Sequence, residues 1–351
     1  MRIGVLGAGR MGAFHAGTLA AHPAVGELVI ADADPERARE VAKRLNAVAL
    51  PVDRLLAGAP DAVVIASATA AHAGLVARAA RAGIPAFCEK PIAVDLAGTV
   101  AALDAVTRAG TLLQVGFQRR FDAGYAAARE ALRDGRVGRL HTVRTVSSDP
   151  APPPAAYVPL SGGLYRDCLI HDFDIVRWVT GREVTEVYAA GTNEGEEFFR
   201  AAGDADTAAA LLTLEGGVLA TATATRYHAA GYDVRMELAG TAEQLVVGVG
   251  PRAPLTSVEP ESQGERQAAA GPARWPGFLE RFAPAYRAEL DAFLRVVRGE
   301  LPNPCEGREA LRALLVAEAC EVSRRERRPV AVAEMEAAAR AFAAEVNGVV
   351  V

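Results

Sequence analysis

The first 115 residues alternate between short apolar segments and stretches of helical periodicity. Apolar, strand-like segments occupy residues 2–6, 27–31, 62–66, 86–88 and 112–115, and helical patterns occupy residues 10–21, 35–45, 70–82 and 94–109 between them. Parallel strands that follow one another in this way are joined by crossover helices. The pattern therefore predicts a doubly wound, Rossmann-type α/β domain with a parallel sheet over residues 1–119.

The pattern changes after residue 120. A predicted helix (121–132) and strand (140–147) precede the proline-rich segment 149–154, which cannot continue either element. A helix is predicted over 167–179, followed by period-two segments at 184–189, 207–214, 217–226, 233–239 and 244–247. A polar loop is predicted at 260–275, before helices at 279–297, 308–325 and 333–346. Residues 120–351 are therefore predicted to form an α+β domain with an open, mainly antiparallel sheet flanked by helices.

Length and composition narrow the class of protein. A chain of 351 residues exceeds what one hydrophobic core usually supports, so two domains are expected. No apolar run is long enough to span a membrane, and the apolar start breaks into glycines after six residues, unlike a signal peptide, so a cytoplasmic protein is expected. The net charge of −5 disfavours nucleic acid, and four cysteines without a CxxC pair favour neither a disulfide framework nor structural zinc. A small molecule is the expected ligand.

A glycine-rich turn, GAGRMG at residues 7–12, joins the first predicted strand to the first predicted helix. In this context the glycines are typical of a dinucleotide site, because they permit a tight turn, close approach of a pyrophosphate and close helix packing. The alternative is a strand–helix turn without a ligand. Asp32 ends the second strand, where an acid binds ribose hydroxyls, so the sequence favours NAD over NADP, although Arg10 or Arg37 is placed to offset its charge.

Lys90 is one of only two lysines, with Lys43, among 38 basic residues. Arginine cannot replace a compact, titratable ammonium, so a lysine retained in this composition is a candidate functional group. Lys90 stands in Glu89-Lys90-Pro91, directly after a predicted strand, at the edge where an open α/β sheet binds its ligand. The alternative is a surface ion pair with Glu89.

An acid–base pair is predicted at the start of a helix in the second domain. Asp167 and His171 are four residues apart, which places both on one face of a helix. A histidine beside a carboxylate is a usable general base near neutral pH. A helix-surface pair or a cap is the alternative. A metal site with Asp172 and Asp174 is a third option, but no spaced ligand motif such as HExxH occurs, so no metal is expected.

The order of these motifs resembles one known family. GAGRMG, an aspartate ending the second strand, Cys88-Glu89-Lys90-Pro91, and Gly162-Gly163 before the acid–base pair are similar to the glucose–fructose oxidoreductase, inositol dehydrogenase and MocA (Gfo/Idh/MocA) family over essentially the whole chain. Segments 114–125, 231–233 and 281–286 resemble inositol 2-dehydrogenases in particular. Two segments depart from that pattern: Ser147-Ser148-Asp149 stands where those enzymes tend to have a histidine, and residues 150–161 are unusually rich in proline.

The resemblance implies an NAD-dependent dehydrogenase that oxidises a secondary hydroxyl of inositol or a related cyclitol to the ketone. By match to the family, the catalytic residues are Lys90, Asp167 and His171. We expect His171 to take the hydroxyl proton, Asp167 to orient the imidazole and Lys90 to hold the reacting oxygen. Alternatives are a sugar or glycoside dehydrogenase of the same family, an NAD-dependent glycoside hydrolase, and a dinucleotide sensor without catalysis.

Two sets of contact residues complete the expected site. Cofactor contacts are expected from Gly7, Gly9, Arg10, Met11, Gly12, Asp32, Ser67, Thr69, His72, Glu89 and Lys90. Substrate contacts are expected from Lys90, Arg119, Asp149, Tyr165, Asp167, His171 and Tyr232, with Asp172 as a further candidate. For His72 the alternative is a cap of the following helix.

The open sheet predicted for the second domain also indicates self-association. An open antiparallel sheet needs cover for its free face, so a homo-oligomer, either a dimer or a tetramer, is expected.

Overall fold

The computed structural model describes residues 1–256 and 273–348, and it divides into two compact units. The first comprises Met1–Phe121, Pro284–Leu315 and Glu334–Val351, and the second comprises Asp122–Ala283 and Val316–Ala333. The predicted domains, 1–119 and 120–351, differ from these units mainly because two C-terminal segments group with the N-terminal sheet. The loop predicted at 260–275 lies largely outside the described residues.

Within the described residues, the first unit is built on a parallel sheet of six strands in the order β3-β2-β1-β4-β5-β6. The strands are β1 (Arg2–Leu6), β2 (Glu27–Ala31), β3 (Val48–Ala49), β4 (Ala62–Ile65), β5 (Ala86–Glu89) and β6 (Leu113–Gly116). They are connected by α1 (Arg10–Ala20), α2 (Pro35–Leu45), α3 (Val52–Ala57), α4 (Thr69–Arg81) and α5 (Leu96–Ala109). This is the predicted doubly wound fold, and its strand order reverses between β1 and β4, where such sheets bind ligands.

Local signals fix the ends of two of these helices. The carboxylate of Asp34 accepts hydrogen bonds from the backbone N–H groups of Glu36 (3.0 Å) and Arg37 (3.3 Å), so α2 begins at Pro35. Gly110 ends α5 with a φ of 62°, a left-handed conformation that glycine adopts without strain. Asp34 is thus the cap of α2, and Gly110 is the terminator of α5.

The second unit contains, over its described residues, a seven-stranded sheet in the order β12-β11-β7-β10-β9-β8-β13. Its strands are β7 (Leu140–Ser148), β8 (Val184–Thr192), β9 (Thr207–Leu214), β10 (Leu219–Thr225), β11 (Asp233–Gly240), β12 (Gln244–Val247) and β13 (Val330–Ala331). Neighbouring strands are antiparallel except β7 and β10, which run parallel with Ser148 opposite Thr225. The predicted, mainly antiparallel sheet is therefore confirmed, with one parallel pair that local turns cannot produce.

The sheet of the second unit has one packed face and one open face. Helices α6 (Ala123–Arg133) and α8 (Ile170–Thr180) pack against it, and short helices α7 (Val158–Ser161) and α9 (Glu197–Ala201) lie in the connections. Residues of β9 and β10 alternate between buried and exposed, which is typical of a sheet with a core on one side. The large apolar side chains exposed on the open face include Tyr188, Leu211 and Leu219 on neighbouring strands and Val246 on β12.

The C-terminal part of the chain forms α10 (Phe278–Val297), α11 (Gly307–Glu326) and α12 (Val332–Gly348). Leu290, Phe293 and Leu294 of α10 are buried in the core of the parallel sheet. Farther along, the side chain of Asn303 donates a hydrogen bond to the carbonyl of Leu113 in the edge strand β6 (2.8 Å). Residues 284–315 therefore group with the first unit because they bury apolar side chains in its core and cover the edge of its sheet. A domain boundary at 119/120 does not anticipate this grouping.

Two further features bear on the class of protein. All four cysteines lie in the described ranges, and none of them forms a disulfide. Among the helices of residues 1–256 and 273–348, none combines the length and the apolar character needed to cross a membrane.

Candidate active site

The glycine-rich turn connects β1 to α1 in the first unit. Gly7 has a φ of 109°, and a Cβ on it would lie 2.5 Å from the backbone nitrogen of Ser67. A Cβ on Gly12 would lie 1.9 Å from the carbonyl oxygen of Gly7. A Cβ on Gly9, in contrast, would meet no atom of the described residues within 4 Å. The chain's own packing therefore requires Gly7 and Gly12, whereas the space beside Gly9, at the N-terminus of α1, fits a ligand phosphate.

Asp32 follows β2 and faces this turn. Its Oδ2 accepts a hydrogen bond from the backbone N–H of Ala8 (2.6 Å), and its Oδ1 accepts one from the N–H of Asp34 (2.8 Å). Arg37 Nη1 lies 3.5 Å from Oδ1, on a side chain that is half exposed. An acid at this strand end binds ribose hydroxyls in Rossmann folds. With the space beside Gly9, this arrangement fits NAD.

The remaining predicted cofactor residues lie at neighbouring strand ends of the same sheet. Arg10 and Met11 form the first turn of α1, and Ser67 and Thr69 lie where β4 leads into α4. His72 is buried within α4: its Nδ1 lies 2.8 Å from the carbonyl oxygen of Pro91, and its Nε2 lies 3.0 Å from that of Ser67. Burial lowers the pKa of His72, against the opposing effect of the two carbonyls. His72 therefore joins the end of β4 to the half-buried Lys90 segment, which follows β5.

Glu89 belongs to a buried cluster that sequence reasoning misses. His15 Nε2 lies 2.6 Å from Glu89 Oε1, and both residues are buried. Glu289 of α10 is fully buried as well. One ring nitrogen of His15 and one carboxylate oxygen of each of the two glutamates lie within 4.8 Å of one another. Burial, followed by the charge of Glu89, raises the pKa of Glu289 well above its ordinary value. His15 shows no partner pattern in the sequence, and Glu289 is far from it along the chain.

In the second unit, Asp167 and His171 lie on either side of a change in helix type. Gly162 and Gly163, with φ of 82° and 93°, turn the chain into a π-helical turn over Tyr165–Leu169, which contains Asp167. Helix α8 then begins at Ile170 and contains His171. The sequence predicts a continuous α-helix over 167–179, so the π-helical first turn is a correction. Single π-helical turns occur frequently at functional sites.

Both oxygens of the Asp167 carboxylate accept hydrogen bonds. Arg226 Nη2 donates to Oδ2 (2.6 Å), and the hydroxyl of Tyr157 donates to Oδ1 (3.0 Å). Arg226 Nη1 donates to Oδ2 of Asp149 (2.9 Å), so one guanidinium bridges two carboxylates. The structure thus brings together the predicted residues Asp149 and Asp167. It adds Arg226 and Tyr157, which no local pattern distinguishes from the other arginines and tyrosines.

Other residues predicted to contact substrate have partners inside the protein. Tyr165 is buried, and its hydroxyl donates to the carbonyl of Ala190 (2.8 Å). Asp172 is buried too, and it accepts a hydrogen bond from the Ser147 hydroxyl (2.6 Å). Ser147 stands in the segment where inositol dehydrogenases tend to have a histidine, so in this chain that position serves an internal contact.

Arg119 and Tyr232 lie in different units. Arg119 is buried in the 3₁₀ helix Gln118–Phe121, which follows β6 in the first unit. Tyr232 precedes β11 in the second unit, where its ring packs edge-on against Phe282 and its backbone N–H donates to the carbonyl of Trp275 (3.0 Å). Their predicted substrate contacts stay predictions.

Family models match both parts of the chain. Residues 1–117 match a model described as an oxidoreductase family with an NAD-binding Rossmann fold, and residues 125–246 match the GFO/IDH/MocA C-terminal domain. A myo-inositol dehydrogenase of Streptomyces leeuwenhoekii is 39% identical over 91% of this chain and 96% of its own length. The myo-inositol 2-dehydrogenase of Thermotoga maritima is 35% identical over 95% of this chain and 99% of its own length.

A solved structure shares the fold over nearly the whole chain. The scyllo-inositol dehydrogenase of Lactobacillus casei, solved with bound NAD(H) and scyllo-inositol, matches with a TM-score of 0.83 and 30% identity, covering 95% of this chain and 99% of that one. The predicted fold class, cofactor and family resemblance are confirmed. The chain is an NAD-dependent oxidoreductase and belongs to the Gfo/Idh/MocA family.

Proposed function

We propose that the protein oxidises a secondary hydroxyl of inositol, or of a closely related cyclitol, to a ketone with NAD. The observation that carries the proposal is the presence of Lys90, Asp167 and His171 in a chain that is similar, over more than nine-tenths of its length, to proteins named inositol dehydrogenases. The similar proteins are named for different isomers, myo-inositol and scyllo-inositol. Both isomers are therefore candidate substrates.

The proposed roles follow from the chemistry of each group. NAD, when bound, accepts the hydride from the carbinol carbon. His171 takes the hydroxyl proton on an imidazole nitrogen, so its ring must be neutral before the reaction. Asp167 supplies a negative charge that stabilises the imidazolium once it has formed. Lys90 donates a hydrogen bond to the reacting oxygen, on which negative charge develops as the proton leaves.

The first unit supports NAD as the cofactor. The space beside Gly9 admits the pyrophosphate, and Asp32 is placed at the end of β2 to accept hydrogen bonds from ribose hydroxyls. The same carboxylate repels a phosphate on the ribose, which disfavours NADP.

We further propose that copies of the chain associate through the open sheet face of the second unit, as a dimer or a tetramer. Tyr188, Leu211 and Leu219 are each nearly half exposed there. Exposed large apolar side chains grouped on one sheet face are typical of an interaction surface. Cysteines without disulfides, together with the use of NAD, support a cytoplasmic location.

NADH absorbance with a panel of substrates tests the function. The panel contains myo-, scyllo- and chiro-inositol, glucose and an aryl glucoside, and each is tried with NAD and with NADP. We expect NADH formation with an inositol. Lys90→Ala and His171→Ala should each lower kcat by about 100-fold or more while binding NAD, because each removes a group that acts on the reacting oxygen or its proton.

Two matched variants control for general effects of truncation. Lys43 and His141 are an exposed lysine and an exposed histidine, so Lys43→Ala and His141→Ala should leave kcat at the parental value. Parental activity in Lys90→Ala or His171→Ala would contradict the assigned roles. NADH formation with glucose alone would make the enzyme a sugar dehydrogenase, and cleavage of the aryl glucoside without net NADH would make it a glycoside hydrolase.

A further inference from the structure

A single buried arginine, Arg226, is placed by the sheet against two carboxylates. Strands β7 and β10 run parallel with Ser148 opposite Thr225, so the residues that follow them, Asp149 and Arg226, leave the sheet side by side. The backbone N–H of Asp149 donates to the carbonyl of Thr225 (2.9 Å), which extends this pairing by one residue. The guanidinium then reaches Asp149 on one side and Asp167 on the other.

The charges in this cluster depend on one another. The side chains of Arg226 and Asp167 are only 5% and 12% exposed. Burial opposes the charge of Arg226, but the carboxylates of Asp167 and Asp149 outweigh this effect and raise the pKa of Arg226 well above its usual range. Removal of one partner from a buried charge pair is strongly unfavourable. The arginine and the carboxylates therefore act as one unit.

Tyr157 restrains Asp167 from the other side. Desolvation, with the Asp167 carboxylate, raises the pKa of Tyr157, so the phenol keeps its proton and donates a hydrogen bond to Oδ1. Arg226 occupies Oδ2 of the same carboxylate. Rotation of the carboxylate would break one or both of these hydrogen bonds, so its orientation is fixed.

We infer that Arg226 is a positioning residue for the proposed dehydrogenase reaction and that it acts through Asp167. The inference rests on the proposed function, in which the negative charge of Asp167 stabilises the imidazolium of His171. Asp149, which the sequence predicts to contact substrate, anchors the second arm of the guanidinium. Lysine is a poor replacement at residue 226, because one ammonium lacks the planar fork that reaches two carboxylates at once.

Steady-state kinetics of Arg226→Gln and Arg226→Lys test the inference. We expect Arg226→Gln to lower kcat about 100-fold, with the KM for inositol within about threefold of the parent, since the inferred role of the arginine is to hold Asp167 and not to bind substrate. Arg226→Lys should have a kcat about tenfold higher than Arg226→Gln, because lysine restores the positive charge but not the second arm of the guanidinium. Asp149→Asn should likewise lower kcat without raising the KM for inositol.

Arg177→Gln is the matched control. Arg177 is as deeply buried as Arg226, and it lies in the same unit, where it pairs with Glu183 (2.6 Å). Its loss should lower Tm as the loss of Arg226 does, but leave kcat within about twofold of the parent. Equal kcat losses in Arg177→Gln and Arg226→Gln would overturn the inference, and so would an Arg226→Gln enzyme with parental kcat.

A second variant decides the matter if Arg226→Gln does not fold. Tyr157 is 41% exposed, so Tyr157→Phe should fold while losing only the hydroxyl that binds Asp167. A fall in kcat of about fivefold supports the restraint on Asp167, and an unchanged kcat overturns it. If the parent binds NAD but forms NADH with none of the inositols, the proposed function itself fails, and Arg226 loses its assigned role with it.

Discussion

At the scale of single residues, Glu289 connects the stability of the first unit to pH. Burial and the charge of Glu89 raise its pKa well above the ordinary value, so the folded protein holds a proton that the unfolded chain releases. The stabilisation from this proton is complete below the ordinary glutamate pKa, and it is lost as the pH rises towards the raised folded-state pKa. A glutamine at this position stays neutral at every pH and does not lose that contribution.

We therefore expect Glu289→Gln to have a higher Tm than the parent at neutral pH. The difference in unfolding free energy should grow with pH by up to about 1.4 kcal/mol per unit in the window between the two pKa values. Thermal denaturation over a pH series measures it. Glu40→Gln, at an exposed position of α2, is the control and should show a constant difference. A Tm difference that shrinks as the pH rises would contradict the raised pKa of Glu289.

At the scale of elements, the glycines of the turn between β1 and α1 have different roles. Gly12 is needed for packing within the protein, whereas Gly9 leaves space for a ligand. Gly12→Ala puts a Cβ against the carbonyl of Gly7, so it should destabilise the protein by about 2 kcal/mol or more. Gly9→Ala meets no described atom within 4 Å, so it should keep the parental Tm. Its Kd for NAD should rise by about tenfold or more, because the Cβ occupies the approach of the pyrophosphate.

A third alanine variant in the same helix controls for the change in backbone freedom. Gly17 lies within α1, and a Cβ there also meets no described atom within 4 Å. Gly17→Ala should stabilise the protein by about 0.5–1 kcal/mol and leave NAD binding unchanged. Thermal denaturation and NAD titration of the three variants separate the two effects. Similar losses of Tm in Gly9→Ala and Gly12→Ala would contradict the assignment of Gly9 to the ligand.

The elements that the sequence predicts are those with a local signal. Helix α2 has its cap at Asp34, α5 has its terminator at Gly110, and β9 and β10 alternate buried and exposed residues. The two-residue strands β3 and β13 are too short to show a period. The π-helical turn at Asp167 and the parallel pairing of β7 with β10 depend on packing between distant segments, which no window of sequence contains.

The residues of the candidate site also fall into two groups, those with a local sequence signal and those without one. Gly9, Asp32, Lys90 and the Asp167–His171 spacing can be selected from the sequence, because each follows a strand or opens a helix at a set distance. Two sets of residues become recognisable only when the chain is folded: His15 with Glu289, and Arg226 with Tyr157. Each joins segments that are far apart in the chain, and their partners are set by burial and strand register.

At the scale of the whole molecule, the open sheet face of the second unit is the surface through which we propose that copies of the chain associate. Leu211 of β9 lies opposite Tyr188 of β8 on one side and Thr221 of β10 on the other, so its side chain stands in the middle of that face. It is 45% exposed. Covering such a patch with the same patch of a second copy buries apolar surface on both chains at once.

We expect Leu211→Arg to reduce the mass of the assembly, because a charge in the centre of an apolar interface must be desolvated without a partner. Light scattering on a size-exclusion column measures that mass. Val48→Arg is the control: Val48 is also 45% exposed, but it lies on β3 of the first unit, so this variant should keep the parental mass. NAD binding should be unchanged in both variants, since neither residue belongs to the cofactor turn. A parent protein that is already monomeric, or a Leu211→Arg protein of parental mass, would contradict association through this face.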